Sequence, residues 1–299
     1  MQTSAHRILL AVLMCIAGAC SRRFTAAPLP NLPFAADTTN TEIIDRGVVR
    51  RYIHSPKGPW AMHVLEVDLD RCVAAVAVKG ADSAAGRIKT TIMLGALAKH
   101  GHVLGGVNAD FFSLANGTPV NLLIVDGRVL TPPGAQPVLA FDSSGTPHIT
   151  TFRLSGKTLA PFHPMQAVGG RPAILRDSII LAAVDTMGQA SFNAGRNPRT
   201  AAGIARNGRR LLLVVVDGRQ APHSDGMSLR ELASVMLALG ARDAINLDGG
   251  GSSTLVYADP KTNGALTIAN HPSDKEGERA VGDALAIVQR CDAKSPPDK

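Results

Sequence analysis

Between Ala244 and Val256 the chain reads A-I-N-L-D-G-G-G-S-S-T-L-V. The apolar residues Ala244, Ile245 and Leu247 have the character of a buried strand, which ends at Asp248 and passes straight into three glycines and two serines. Consecutive glycines are unfavourable inside a strand because glycine loses the most backbone freedom on folding. They belong where the chain turns sharply or lets another group come close. Successive N–H groups in such a turn form a concavity that takes an anion. The segment therefore predicts a ligand site at a strand end, with Asp248 beside a glycine turn. A tight turn without a ligand is the simpler alternative.

At 299 residues, 45% of them hydrophobic and only 4% aromatic, the chain is long enough for one sizeable, mainly aliphatic core. The formal charge of +7 comes from scattered Lys and Arg with no basic run interleaved with aromatics, which gives no indication of nucleic-acid binding.

The N-terminus points to export. A weakly basic Met1–Arg7 precedes an apolar run, Ile8 to Ile16, too short to span a bilayer, and Ala17-Gly18-Ala19 is a signal-peptidase pattern. Residues 1–19 are expected to be a signal peptide. Cys20, directly after small residues, resembles a lipidation site, although Ala17 stands where such sites usually carry Leu. The protein is thus expected in a bacterial envelope, periplasmic or anchored by a lipid at Cys20. Residues 20–42 read as a flexible Pro/Ala/Thr-rich tether, 43–291 as one globular domain, and 292–299 as a disordered tail. An oxidising compartment permits a disulfide between Cys72 and Cys291, joining the first strands of the domain to its last. Two separate buried thiols are the alternative.

Within the domain the pattern predicts an α+β (mixed α/β) fold: a β-rich mixed sheet with at least two packed helices. Strands are expected at Trp60–Val67, Val73–Val78, Val103–Ala109, Ala173–Leu175, Thr254–Tyr257 and Ala284–Val288, with Leu211–Val216 buried on both faces. Asp126-Gly127 and Ser143–Thr146 predict hairpin turns, so Asp126 is a turn residue. Helices are expected at Thr91–His100 and Ser228–Leu239. Ser228 with Glu231 forms a capping box, which assigns Glu231 to the cap and not to catalysis. The polar stretch Ala258–Gly282 reads as a long lid-like loop. Asn-x-Asp closes two strands, at Asn108/Asp110 and Asn246/Asp248, and both ends are expected in one cleft.

Candidate catalytic groups are Asp248, Asp110, Asp217 and Arg199. Candidate substrate or phosphate contacts are Asn108, Thr200, Asn246, Gly249, Gly250, Gly251, Ser252 and Thr254. A guanidinium forks two N–H bonds onto a phosphate, glycine N–H groups add backbone donors, carboxylates serve as base or nucleophile, and asparagines suit sugar hydroxyls. The chain has no G-x-S-x-G, H-E-x-x-H or paired CxxC pattern, and His163, His223 and His271 read as solvated loop residues. No cofactor is required by this reading. Oxygen ligation of Ca²⁺ or Mg²⁺ by Asp110, Asp217 and Asp248 stays open.

The motifs N-A-D-F-F, N-P-R-T-A-A-G, V-V-V-D-G-R-Q, G-M-S-L-R-E-L-A, L-D-G-G-G-S-S-T and N-H-P-S-D…G-E-R, in this order between Gly106 and Val288, together resemble the phosphodiester glycosidase family. The resemblance implies a mixed α/β domain that hydrolyses a sugar-1-phosphodiester. It also implies site roles for the Asn, Asp, Arg, Ser and Thr residues named above, and for Arg279. The substrate would be a small molecule or glycopolymer bearing a sugar phosphodiester, with the membrane touched only through an N-terminal lipid. Its leaving group is a phosphate monoester, which needs anion stabilisation more than protonation, in contrast to the alkoxide of an ordinary glycosidase. A non-catalytic envelope protein binding anionic glycopolymer and a metal-dependent phosphodiesterase are the two alternatives.

Overall fold

The aliphatic run at 211–216 sits at the centre of the molecule. In the computed structural model, which describes residues 25–79, 85–156, 158–205 and 207–290, it forms the strand Arg210–Val216, buried on both sides as its composition predicts. Leu211, Leu213 and Val215 enter one core and Leu212, Val214 and Val216 enter another, as the two-residue period of a strand requires. The strand lies in an eight-stranded sheet in the order Thr38–Asp45, Val48–Ser55, Trp60–Asp68, Arg210–Val216, Arg199–Ala205, Ala241–Asn246, Ala173–Arg176, Ile179–Ile180.

One face of this sheet packs on the helix Leu229–Ala238 through Leu232, Val235 and Met236. The other face meets a five-stranded sheet (Ala265–Ile268, Leu255–Asp259, Val103–Asn108, Ala284–Gln289, Val73–Val78) through Leu104, Val107, Leu255, Leu285 and Ile287. The far face of that second sheet is covered by the helix Thr90–Leu97, whose Met93 and Leu94 pack on Val103, Val256 and Ala286. A further five-stranded sheet, Pro147–Thr150, Val138–Phe141, Gln166–Gly169, Leu123–Val125 and Arg128–Thr131, holds the two predicted hairpins. Asp126 and Gly127 both have positive φ, 50° and 76°, as a two-residue hairpin turn demands.

The protein is α+β, mostly β. The sequence reading needs three corrections here. The sheets are not mixed: every paired strand among the described residues is antiparallel. The connections are hairpins and excursions to other sheets, which return the chain with reversed direction. The expected tether is structured from residue 25 onward: Thr38–Asp45 pairs with the next strand, Arg51 donates to the Ala27 carbonyl at 2.5 Å, and Leu29, Leu32 and Phe34 pack on the helix-side core. Its apolar residues lie two or three apart among prolines, so they escape a composition-based reading. The expected lid at 258–282 contains the strand Ala265–Ile268 and ends in the short strand Ala280–Val281, and the stretch between them carries Arg279 to the cleft. The signal peptide, Cys20, Cys291 and the tail 292–299 lie outside the described residues. Cys72 is disulfide-bonded, and the carbonyl of Cys72 accepts the N–H of Arg290 at 2.7 Å.

Candidate active site

The strands Arg210–Val216 and Ala241–Asn246 flank Arg199–Ala205 and run opposite to it, so Asp217, Asp248 and the start of the Arg199 strand share one edge of the large sheet. The strand Val103–Asn108 of the second sheet ends at the same edge. The two Asn-x-Asp ends are joined there: Asn108 Nδ2 donates to the Asp248 carbonyl at 2.7 Å, and the Asp248 N–H donates to the Ala109 carbonyl at 2.9 Å. A cleft of about 430 Å³ opens over this junction, with Asp248, Gly249, Gly250 and Gly251 on its floor, and Arg219, Arg279, Phe111 and Phe192 around it.

Each glycine of the triplet answers to a different neighbour. A Cβ on Gly249 would stand 2.7 Å from the Pro198 carbonyl oxygen. Gly250 has φ +61°, and its missing Cβ leaves room for the Arg219 guanidinium at 3.3 Å. A Cβ on Gly251 would overlap the Asp274–Arg279 ion pair. The close-approach reading of the triplet is therefore the physical one. Two N–H groups of the turn are used within the protein: the Gly250 N–H is bonded to Pro198 O at 2.9 Å and the Ser252 N–H to Gly249 O at 3.2 Å, in a single 3₁₀ turn. Arg219 and Arg279 add full positive charges to the same cleft.

The guanidinium expected to clamp phosphate, Arg199, lies at the cleft wall close to Gly250, but it is 2% exposed. Its Nε donates to Met227 O at 2.8 Å and its Nη2 to Phe192 O and Gly195 O at 2.6 and 3.0 Å. Burial and the neighbouring Arg219 lower its pKa to about 10, and it remains a cation that ties three backbone carbonyls together. Arg219 reaches into the cleft instead. Its backbone has φ +60°, it is exposed, and its Nη2 donates to Asn197 Oδ1 at 2.9 Å.

The asparagines and hydroxyls assigned to substrate are buried in the joint beneath the cleft. Asn108 Oδ1 accepts from Thr200 Oγ1 at 2.8 Å and from the Thr254 N–H at 3.0 Å, so its capacity is filled within the protein. Asn246 Nδ2 donates to Arg171 O at 2.7 Å, and its Oδ1, like the Thr254 hydroxyl, is buried without a protein partner among the described residues, while the Ser252 hydroxyl lies beside Asp248. Arg279 does line the cleft, in a bidentate pair with Asp274 at 2.7 and 3.0 Å.

The aspartates divide into two groups. Burial raises Asp248 to about 6, opposed by the nearby Ser252 hydroxyl, Arg279, the Gly249 N–H and Arg171. Behind it, Asp110 is pushed well above the ordinary carboxylate range by burial and by the charge of Asp283. Asp283, fully buried, is raised to about 7. Asp283 Oδ1 accepts the Asp110 N–H at 2.8 Å, and Asp110 Oδ2 accepts the Asn121 N–H at 2.9 Å beneath Gly169, where a Cβ would stand 2.5 Å from that oxygen. Asp217 does not join them. Its Oδ2 lies 3.2 Å from His63 Nε2 and 3.2 Å from His223 Nε2, and its Oδ1 accepts the His271 N–H at 2.8 Å. The carboxylates of Asp110, Asp217 and Asp248 do not form one cation cage among the described residues. His223 and His271 are partners of Asp217, with the His271 side chain still largely exposed. Glu231 caps its helix as the sequence predicts, with an added ion pair to Arg196 at 2.7 Å.

Sequence reasoning missed Arg219, Phe111, Phe192 and Asp283. Asp283 carried a signal: it is the lone charge in the otherwise apolar V-G-D-A-L-A-I-V. Arg219 sits in D-G-R-Q, but the earlier Arg199 carries equal promise in the sequence, and burial separates them only in the folded chain.

The fold recurs in solved structures of low identity: a hypothetical protein from Synechocystis (TM-score 0.64, 16% identical, covering 85% of this chain and 64% of that one), and the zebrafish N-acetylglucosamine-1-phosphodiester alpha-N-acetylglucosaminidase catalytic domain auto-inhibited by pro-peptide (TM-score 0.61, 22% identical, covering 89% and 85%). The phosphodiester glycosidase family model matches residues 101–288, and the chain belongs to that family. It is 31% identical over 179 residues to the mouse N-acetylglucosamine-1-phosphodiester alpha-N-acetylglucosaminidase, covering 56% of this chain and 33% of that protein. It is 32% identical over 181 residues to the bovine protein of the same name, covering 56% and 32%. The chain thus spans about a third of the length of these relatives.

Proposed function

We propose that the protein is an exported hydrolase that cleaves a sugar-1-phosphodiester at the C1–O bond. The observation that carries this reading is the pairing, in one cleft, of a carboxylate poised near pH 6 with the guanidinium groups of Arg219 and Arg279 around a glycine turn. The family relatives act, by name, on an N-acetylglucosamine-1-phosphodiester, which supports the same substrate class. In this mechanism Arg219 holds the phosphodiester and takes up the charge that develops as the phosphate monoester departs. Asp248, the carboxylate that faces the cleft, attacks C1 or activates the water that does. Phe111 and Phe192, 6.1 Å apart edge to face, offer an apolar wall to the sugar ring. The Asp110–Asp283 pair sits behind Asp248, retains a proton near neutrality and limits the negative charge under the anionic substrate.

A panel of chromogenic sugar-1-phosphodiesters hydrolysed by purified protein in ¹⁸O water tests the reading. Label in the sugar supports C1–O cleavage. Label in the phosphate means attack at phosphorus, and binding without turnover on the whole panel favours a glycopolymer-binding protein.

A further inference from the structure

We propose that Asp217, His223 and His271 form a binding site for one divalent transition-metal ion, zinc being the best fit to the donors. The site joins two loops that carry the cleft's arginines. Asp217 Oδ2, His223 Nε2 and His271 Nδ1 form a triangle with sides of 3.2, 3.0 and 3.9 Å. A tetrahedral ion with bonds of about 2.0–2.1 Å to nitrogen and oxygen separates its ligands by roughly 3.3 Å, so the triangle is already close to the required size. Two imidazoles and one carboxylate suit zinc and its neighbours better than calcium or magnesium.

One proton or one metal ion can fill the triangle. With the proton on His223 Nε2, Asp217 Oδ2 and His271 Nδ1 both face it as acceptors. If His271 Nδ1 is the donor, His223 Nε2 and Asp217 Oδ2 meet as two lone pairs at 3.2 Å. A cation at the centre satisfies all three lone pairs at once.

The support around the ligands is that of a metal centre. Asp217 is fully buried, its other oxygen is held by the His271 N–H at 2.8 Å, and buried His63 Nε2 stands at 3.2 Å from Oδ2 as an orienting donor. Gln220 Nε2 bridges to the carbonyls of His271 and Pro272 at 3.2 and 3.1 Å, which fixes one loop against the other before any ion arrives. The His271 side chain is 69% exposed and that of His223 30%, so the ion has a path in, and its fourth position faces water. Arg219 follows Asp217 by two residues, and the Asp274–Arg279 pair follows His271 on the same loop. The ion would therefore brace Arg219 and Arg279.

The site is independent of the hydrolase reading and is tested without substrate. The chelator-stripped protein is titrated with Co²⁺ and then with Zn²⁺. The expected result is one equivalent of cobalt with the intense visible absorption of a four-coordinate ion, displaced by zinc, and a thermal midpoint that rises with zinc. In His223→Ala and in His271→Ala the absorption disappears and affinity falls by at least about tenfold. Circular dichroism checks their fold, and His271→Ala, the more exposed position, decides if the other variant fails to fold. A weakly coloured six-coordinate spectrum, no binding, or binding unchanged in the folded variants overturns the site.

Discussion

Asp217 and Asp248 occupy corresponding places: each follows a strand that flanks Arg199–Ala205, and each stands at the same edge of the same sheet. Their surroundings make them opposites. Burial pushes both upward, but Asp217 is brought below the ordinary carboxylate value by hydrogen bonds from His63, the His271 N–H and His223. Asp248 has weaker compensation and stays at about 6. Position in a sheet brings carboxylates to an edge, and the partners supplied by distant loops decide which is a fixed anion and which can exchange a proton near neutrality.

The largest expected effect comes from removing the exchangeable one. Asp248→Asn should lower kcat/KM on a cleaved sugar-1-phosphodiester by about 10²–10⁴. Steady-state kinetics with a wild-type-like residual rate would break the contrast between the two aspartates.

The next pair of variants separates the two arginines. Arg219→Ala should lose about 10²–10³ in kcat/KM with its unfolding midpoint intact. Arg199→Ala strips donors from three carbonyls and should lose roughly 3 kcal/mol of stability. Denaturant unfolding of both proteins beside their kinetics checks this, and a stable, inactive Arg199→Ala would restore Arg199 as the clamp.

A profile of kcat/KM against pH should fall about tenfold per unit as pH drops below about 6, because the ionised form of Asp248 is the reactive one. Stability has the opposite sign for this group. The folded-state pKa values of Asp110, Asp248 and Asp283 lie above those of the unfolded chain, so the native state binds more protons between about pH 4 and 7, and these groups lower stability as pH rises through that window. Asp283→Asn keeps an acceptor for the Asp110 N–H and should flatten this slope, with a higher midpoint at pH 8 than the wild type. Calorimetry across pH 4–8 measures it, and an unchanged slope would remove Asp283 from the buried pair. The smallest effect is at the cap: Glu231→Ala should cost about 1 kcal/mol in urea unfolding and leave the cleft's kinetics near wild type.

Much of this was legible in the chain. The aliphatic run at 211–216, the Asp126-Gly127 hairpin and the Ser228/Glu231 box depend on neighbours within a few residues, and each appears where local chemistry puts it. The triple glycine announced a close approach, and the two Asn-x-Asp ends announced a meeting. What approached the glycines was hidden, because Pro198, Arg219 and Arg279 arrive from three separate loops. Asn108 and Thr200 read as substrate contacts for the same reason. A polar residue at a strand end looks alike whether it faces a ligand or another strand end, and only the packing of two sheets filled Asn108's bonds from within.

The sequence by itself determined the alternation that buries Arg210–Val216, the turns, the helix cap and the family to which residues 101–288 belong. The tertiary structure alone decided which arginine enters the cleft, which aspartate is held by histidines, and that Asp283 stands behind Asp110. Local elements follow from propensities a few residues wide, whereas charge state and reach are set by groups that are distant in the chain and share one low-dielectric junction.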